Sequence, residues 1–326
     1  MSEAQFSVVV TGGAGYIGSR VITRLQDAHP EWEVTALDNF YVGDVRQIGD
    51  VSVRHVDIRH QDELERALSG TDMVIHLAAI SGVDDCDNQA DLAYEVNVVG
   101  TNNVAWFCHK TGAGLVFPYS MAVLGDPESF PITVEDGRDP LNWYGRTKLL
   151  GERAIEGFAL DEFPVHMFMK SNLYGEHDVN GQRVSKGTVI NFFVNRVRQG
   201  KPLTVYEPGT QARNYIHVDD IARAYVQSAE RMREQLLAGE TGVEKYEIAS
   251  DEDPSVMTVA ERVQRLAREE LDRDVEIQLI ENPRSGETLV DEFPVDTSKA
   301  HDTLGWEPNR TITDSVRKLL HAKTDR

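Results

Sequence analysis

One stretch, Thr11-Gly12-Gly13-Ala14-Gly15-Tyr16-Ile17-Gly18, constrains this chain more than any other. Before it runs Phe6-Ser7-Val8-Val9-Val10, a short apolar segment that reads as a buried parallel strand. After it, Val21, Ile22 and Leu25 fall at helical spacing and predict a helix over about 16–28. A strand, a glycine turn and a helix N-terminus together form a place where a pyrophosphate can rest on free N–H groups. Gly12 permits the tight turn, Gly15 lets backbone approach phosphate, and Gly18 lets the helix pack closely on the strand.

Glycine also marks ordinary turns, so the next strand decides. Glu33-Val34-Thr35-Ala36-Leu37 ends in Asp38, at the spacing of a carboxylate that accepts hydrogen bonds from the adenosine ribose. A bare turn has no need of that acid. Asp38 also selects NAD over NADP, because a carboxylate there repels a 2′-phosphate and no Arg follows at 39 or 40.

The alternation continues. Strands are expected at 51–56, 72–79 and 115–120, with helices at 61–68 and 92–110. Repeated strand–helix units imply an α/β fold, a parallel sheet with helices on both faces. Ligands then bind beyond the carboxyl ends of the strands, where Asp57, His76 and Ser120 fall. Asp57 reads equally as a helix cap or as an acceptor for the adenine amino group, and His76 as structural. Past residue 175 the pattern loosens. A polar loop is expected at 178–187 and a strand at 203–206. Helices are expected at 189–200, at 218–237 with Asp219-Asp220 at its start, and at 257–271 capped by Thr258. A strand at 275–280 and a last helix over 311–323 complete the chain.

Composition narrows the partners. The net charge of −21 speaks against nucleic acid, and no apolar run is long enough to suggest a membrane span. The chain enters a strand at once with no signal peptide, so a cytoplasmic protein is expected. Cys86 and Cys108 lack metal-ligand spacing and are expected to be two buried thiols, with no metal site. Nine Lys stand against twenty-four Arg, and acids are scattered along the whole chain. Such a surface suits a salt-rich cytoplasm, where screening removes self-repulsion, and a halophilic source is expected.

Tyr144-Gly145-Arg146-Thr147-Lys148 opens a helix, and the i, i+4 spacing puts Tyr144 and Lys148 on one face. A tyrosine acts as a base near neutral pH when a nearby ammonium favours its phenolate. Ser120 supplies a hydroxyl to orient a substrate oxygen toward Tyr144.

These features recur with His76-Leu77-Ala78-Ala79, Glu95-Val96-Asn97-Val98-Val99-Gly100-Thr101, Ser120 to Gly125 and Asn172-Leu173-Tyr174-Gly175. Arg213 to Asp220, Arg284-Ser285-Gly286-Glu287 and Leu304 to Pro308 complete the set. Over nearly its whole length the chain resembles the extended short-chain dehydrogenase/reductases, in particular the NAD-dependent epimerase/dehydratase group that acts on nucleotide sugars. The resemblance implies a Rossmann-type doubly wound parallel sheet with a smaller C-terminal α+β substrate domain. Residues 1–175 would form the NAD-binding domain, with part of the later chain interleaved, and 176–326 mainly the substrate domain. It implies NAD against Gly12, Gly15, Tyr16, Ile17, Gly18, Asp38, Asn39, Asp57, Ile58, Leu77, Ala78, Ala79, Asn97, Tyr144 and Lys148. Ser120, Tyr144 and Lys148 would be catalytic. Asn172 would touch the substrate with Ser120, and Arg213 and Arg284 would hold its diphosphate. A homodimer paired through helices near 92–110 and 142–158 is the family expectation.

Several positions depart from the pattern. Leu124 stands where Tyr is usual, Lys170 where Arg is common, Glu176 where Pro is common, and Glu207-Pro208 replaces Gly-Asp. Dehydratases of the group carry an acid just after the strand-end hydroxyl residue, and here Met121 and Ala122 follow Ser120. That favours an epimerase of the UDP-glucose 4-epimerase type over a dehydratase or a decarboxylase. A sugar dehydrogenase needs only the same three residues, and an NAD-binding sensor without activity has no use for them.

Overall fold

The glycine turn sits at the centre of an eight-stranded sheet. In the computed structural model, which describes residues 5–284 and 286–322, the strands of this sheet are β1 (Ser7–Thr11), β2 (Glu33–Asp38), β3 (Gln47–Ile48), β4 (Val51–His55), β5 (Met73–His76), β6 (Gly114–Ser120), β7 (Pro164–Lys170) and β13 (Gly242–Ile248). Ser285 and Lys323, which belong to an expected motif and to the expected last helix, lie outside the described residues. The order is β13-β7-β6-β5-β1-β2-β4-β3, parallel throughout except for the short β3. It reverses direction between β1 and β5, and at such a switch point a crevice opens above the strand ends.

Alternate residues of each strand face opposite layers. Val9, Val74, Phe117, Val165 and Met167 pack under α5 (Thr101–Thr111) and α6 (Trp143–Ala159). Val8, Val10, Ile75, Val116 and Phe168 pack under α1 (Tyr16–Ala28) and α8 (Val218–Ala238). α2 (Gln61–Leu68) follows β4, and α3 (Val83–Asn88) and α4 (Ala90–Tyr94) follow β5. A third core gathers Phe193 of α7 (Val189–Arg198), Val263 and Leu266 of α9 (Val256–Leu271), and Val316 of α11 (Ile312–His321). The remaining elements are β8 (Asn172–Tyr174), β9 (Glu176–Val179), β10 (Gln182–Ser185), β11 (Leu203–Tyr206), β12 (Tyr215–His217), β14 (Ile277–Ile280) and α10 (Ser298–Leu304).

The structure corrects several expectations. Residues 92–110 are not one regular helix: α4 runs into a π-turn over Glu95–Gly100 before α5 begins. The wider turn swings Asn97 inward, and such turns favour functional sites. The expected loop at 178–187 is largely the hairpin β9–β10, turned by Asn180 and Gly181, both at positive φ. α9 is capped by Ser255, whose hydroxyl accepts from the Thr258 N–H, rather than by Thr258. α8 is capped by the His217 side chain, which accepts from the Asp219 N–H.

That leaves the Asp219 carboxylate to another task. It receives Arg20 at 2.5 Å, Arg24 at 2.7 Å, and Arg310. Burial works to raise its pKa, but Arg24 and Arg20 outweigh it and hold the carboxyl well below the usual range. One carboxylate thus ties α1, α8 and the C-terminal segment together.

Candidate active site

At the end of β1 the backbone turns at Gly12, with φ +71°. A Cβ there would stand 2.6 Å from the Ala78 nitrogen and 2.7 Å from the Leu77 carbonyl carbon. The glycine therefore lets Leu77, Ala78 and Ala79 lie directly beside the turn. Thr11 fixes this crossing: its Oγ1 accepts from the Ala78 N–H at 3.3 Å and lies 2.7 Å from His76 Nδ1. His76 Nε2 reaches Thr101 Oγ1 at 3.0 Å, and burial holds the ring neutral, its pKa down to about 3. His76 is a brace.

α1 begins at Tyr16 with Gly15 as its cap, and no side chain occupies the cap position. The amides of the first helical turn have no partner within the helix. Tyr16, however, directs its hydroxyl to the Gly175 carbonyl at 2.8 Å, so only its backbone faces the crevice. Asp38 accepts from the Ala14 N–H at 3.0 Å and the Phe40 N–H at 2.7 Å, which pins the carboxylate beside the turn. Gly43 was not singled out in the sequence, yet a Cβ there would stand 2.3 Å from the Ala14 carbonyl oxygen. Its loop lies against the glycine turn.

Asp57 carries out a local task. It accepts from the Arg59 N–H, pairs with the Arg59 guanidinium at 2.7 Å and accepts from Asn39 Nδ2 at 3.1 Å. Burial raises its pKa, and the Arg59 and Asn39 bonds reverse that and hold it well below the ordinary value. Ile58 beside it is buried against Gly100 of the π-turn. Asn97, expected to touch the cofactor, has its amide engaged within the protein. Its Oδ1 accepts from the Ile80 N–H, and its Nδ2 donates to the Ile80 carbonyl and to Thr147 Oγ1, all within 2.9–3.0 Å. Both amide protons are engaged inside the protein, so Asn97 positions the segment after β5 against α6.

Ser120 ends β6 and caps a short turn, its Oγ accepting from the Ala122 N–H at 3.2 Å. α6 starts against that turn: a Cβ on Gly145 would come within 2.4 Å of the Ala122 carbonyl oxygen. This close approach brings Tyr144 beside Ser120. Burial pushes the Tyr144 phenol up to about 12, and the Ser120 hydroxyl works against it. Lys148 lies one turn further along, its Nζ 3.5 Å from the Pro118 carbonyl and 5.1 Å from the centre of the Phe117 ring. Burial, reinforced by the nearby charge of Lys170, brings its ammonium down to about 7. In the free protein burial therefore dominates the tyrosine, and the lysine is poised near neutrality.

The other expected substrate residues are Asn172, Arg213 and Arg284. Asn172 donates to the Asn214 carbonyl at 3.2 Å. Arg213 pairs with Glu287 at 3.1 Å, and Arg284 with Asp84 at 2.7 Å. Both arginines are thus paired with acids. Two departures have structural explanations: Leu124 is buried in the core under α6, and Glu176 pairs with Arg198 at 2.9 Å. Cys86 and Cys108 are buried free thiols. No helix among the described residues is long and apolar enough to cross a membrane.

A glycine turn at the switch point and a hydroxyl–phenol–ammonium group at the end of β6 are the marks of a dinucleotide-dependent enzyme. Residues 8–241 match the NAD dependent epimerase/dehydratase family, and the chain belongs to that family. It is 29% identical over 352 residues to the UDP-glucose 4-epimerase of Caenorhabditis elegans, with 97% of each chain covered. It is 24% identical over 329 residues to UDP-glucuronic acid decarboxylase 1 of Xenopus tropicalis, covering 96% of this chain and 71% of that one. The crystal structure of the Thermus thermophilus UDP-glucose 4-epimerase complex with NAD superposes with a TM-score of 0.81 at 25% identity, covering 97% and 98%.

Proposed function

We propose that this enzyme is a nucleotide-sugar 4-epimerase of the UDP-glucose 4-epimerase type. The observation that carries the reading is the group at the end of β6. Ser120, Tyr144 and Lys148 converge there, and Met121 and Ala122, neither able to give a proton, follow the serine. Gly12, Gly15, Ile17 and Gly18 would hold the pyrophosphate of NAD, Asp38 its adenosine ribose, and Leu77–Ala79 with Lys148 its nicotinamide end. Held there, NAD would supply the acceptor for a hydride from the sugar carbon and the source of its return to the opposite face. Ser120 donates a hydrogen bond to the sugar oxygen and aligns it. Tyr144 takes the hydroxyl proton, helped by the protonated Lys148, and later gives it back to the oxygen of the turned keto sugar. Arg213 and Arg284 hold the diphosphate, as forked donors suited to phosphate, and Asn172 contacts the nucleotide sugar. The elements around the third core form most of the substrate side.

A panel of UDP-sugars with limiting NAD tests this. The expected result is many turnovers per NAD, an inverted sugar by NMR and no lasting NADH absorbance. NADH accumulating one-for-one with product would make the enzyme a dehydrogenase, and NAD binding without turnover of any sugar would make it a sensor.

The proposed assembly is a homodimer in a salt-rich cytoplasm. Tyr94, Val99, Trp106 and Leu150 are exposed along α4, the π-turn, α5 and α6, an apolar face suited to a copy of itself. Light scattering in molar KCl should give twice the chain mass, and dilution of the salt should unfold the protein. A monomer in high salt, or a stable fold in dilute buffer, would remove the respective half of this proposal.

A further inference from the structure

Of the nine lysines in the chain, Lys148, Lys170 and Lys186 converge on the reacting end of the crevice. They come from separate elements: α6, the last residue of β7, and the segment just after β10. Lys170 lies in register with Ser120 on the neighbouring strand. Lys186 is directed inward, its Nζ donating to the Ser81 carbonyl at 3.0 Å and to the Ser81 hydroxyl at 2.5 Å. Ser81 follows the Leu77–Ala79 run, so Lys186 is anchored on the segment after β5 while Lys170 stands on β7.

Like charges brought together inside protein repel with little water to screen them. This chain has acids in excess, and elsewhere it pairs its enclosed cations. Arg138 and Lys245 share Glu152, and Arg198 takes Glu176. Lys170 has no carboxylate or hydrogen-bond partner among the described residues, and burial alone brings it down to about 8. Lys186 is likewise brought down to about 8 by burial and by Lys170, with Asp85 and the Cys86 thiol pulling the other way. In the reading above, Lys148 serves Tyr144 and the cofactor, while Arg213 and Arg284 serve the diphosphate. Lys170 and Lys186 remain without an anion.

We propose that Lys170 and Lys186 form a carboxylate subsite, so that the sugar of the substrate is a hexuronate rather than a neutral hexose. The inference rests on the epimerase reading. Ser120 and Tyr144 would hold the C4 oxygen, and in a hexuronate the carboxylate hangs from the adjacent C5. Lys170 is the register partner of Ser120 on the neighbouring strand, about 4.8 Å away backbone to backbone, so its side chain leaves the sheet beside the serine that would hold that oxygen. Turning the keto sugar moves the carboxylate across the crevice. Two ammoniums carried by different elements, β7 and the segment after β10, would share the carboxylate as it moves.

The test uses the full-length protein with NAD, comparing UDP-glucuronate and UDP-glucose by kcat/KM and by calorimetric binding. The uronate should be favoured about 10-fold or more. Lys170→Met and Lys186→Met should each shift the ratio of kcat/KM toward UDP-glucose by about 10- to 100-fold, the range of one charge-assisted hydrogen bond. Lys170→Arg, which keeps the charge, should retain the preference, separating loss of charge from loss of fold. Equal or better use of UDP-glucose by the unmodified enzyme, or the same loss on both sugars in Lys170→Met, overturns the subsite and leaves the epimerase reading standing. Release of CO2 from UDP-glucuronate with the preference intact overturns the epimerase reading and upholds the subsite.

Discussion

Tyr144→Phe should lower kcat by about 1,000-fold, within the range for loss of a positioned acid–base group, while NAD binding stays close to that of the unmodified enzyme. The phenol lies beside Ser120 at the end of β6, where the proposed reaction has it pass a proton to and from a sugar hydroxyl. The ring is 7% exposed and packs in the core under α6, and Phe keeps that packing. Thermal melting should therefore move little, and the loss should appear in turnover alone. The measurement is kcat under saturating sugar nucleotide, beside an NAD titration by fluorescence. A variant retaining a tenth of the activity would remove Tyr144 from the chemistry.

Gly18→Ala should abolish tight NAD binding and destabilise the fold by about 3 kcal/mol, the upper part of the range for overpacking a core. The added Cβ would stand 2.1 Å from the Gly12 carbonyl oxygen and 2.9 Å from the Gly13 Cα. Both are backbone, so no side chain can swing aside. α1 must lift from β1, and the amides of its first turn leave the place where a pyrophosphate would lie. Gly157→Ala is the matched comparison. Nothing lies within 4 Å of its added Cβ, and it sits in the exposed part of α6. There alanine should stabilise by about 0.5–1 kcal/mol through helix propensity alone. Equal thermal shifts for the two variants would show that the close approach at Gly18 carries no cost.

The cradle was legible in the sequence because each of its parts is local. Gly12, Gly15 and Gly18 answer to one turn and one helix, and Asp38 ends the next strand. Tyr144 and Lys148 are neighbours on one helix face for the same reason. β7 and β13 were not legible: Pro164-Val165-His166 opens on a proline, and Glu244, Lys245 and Glu247 give β13 the look of a solvated segment. What makes them strands is their register with each other and with β6, which no local pattern carries. The π-turn at Glu95–Gly100 was hidden similarly, because its cause is the distant pull of Ile80 and Thr147 on Asn97. Nor could spacing show that Arg213 and Arg284 are held by Glu287 and Asp84, or that Lys170 is left unpaired.

The position of β13 at the end of the sheet also sets an order on synthesis. β7 has its outer edge open from the moment it is made, and the strand that closes it arrives only after α7, β11, β12 and α8 have followed. An uncovered parallel edge is a template for pairing with another chain, and contacts this distant in sequence form slowly. A nascent chain halted anywhere between 171 and 241 therefore presents the ribosome's surroundings with a sticky, half-finished sheet. Once β13 docks, Glu244 and Lys245 pair with Arg231 and Glu152 and hold it in place, so the hazard belongs to the time before docking.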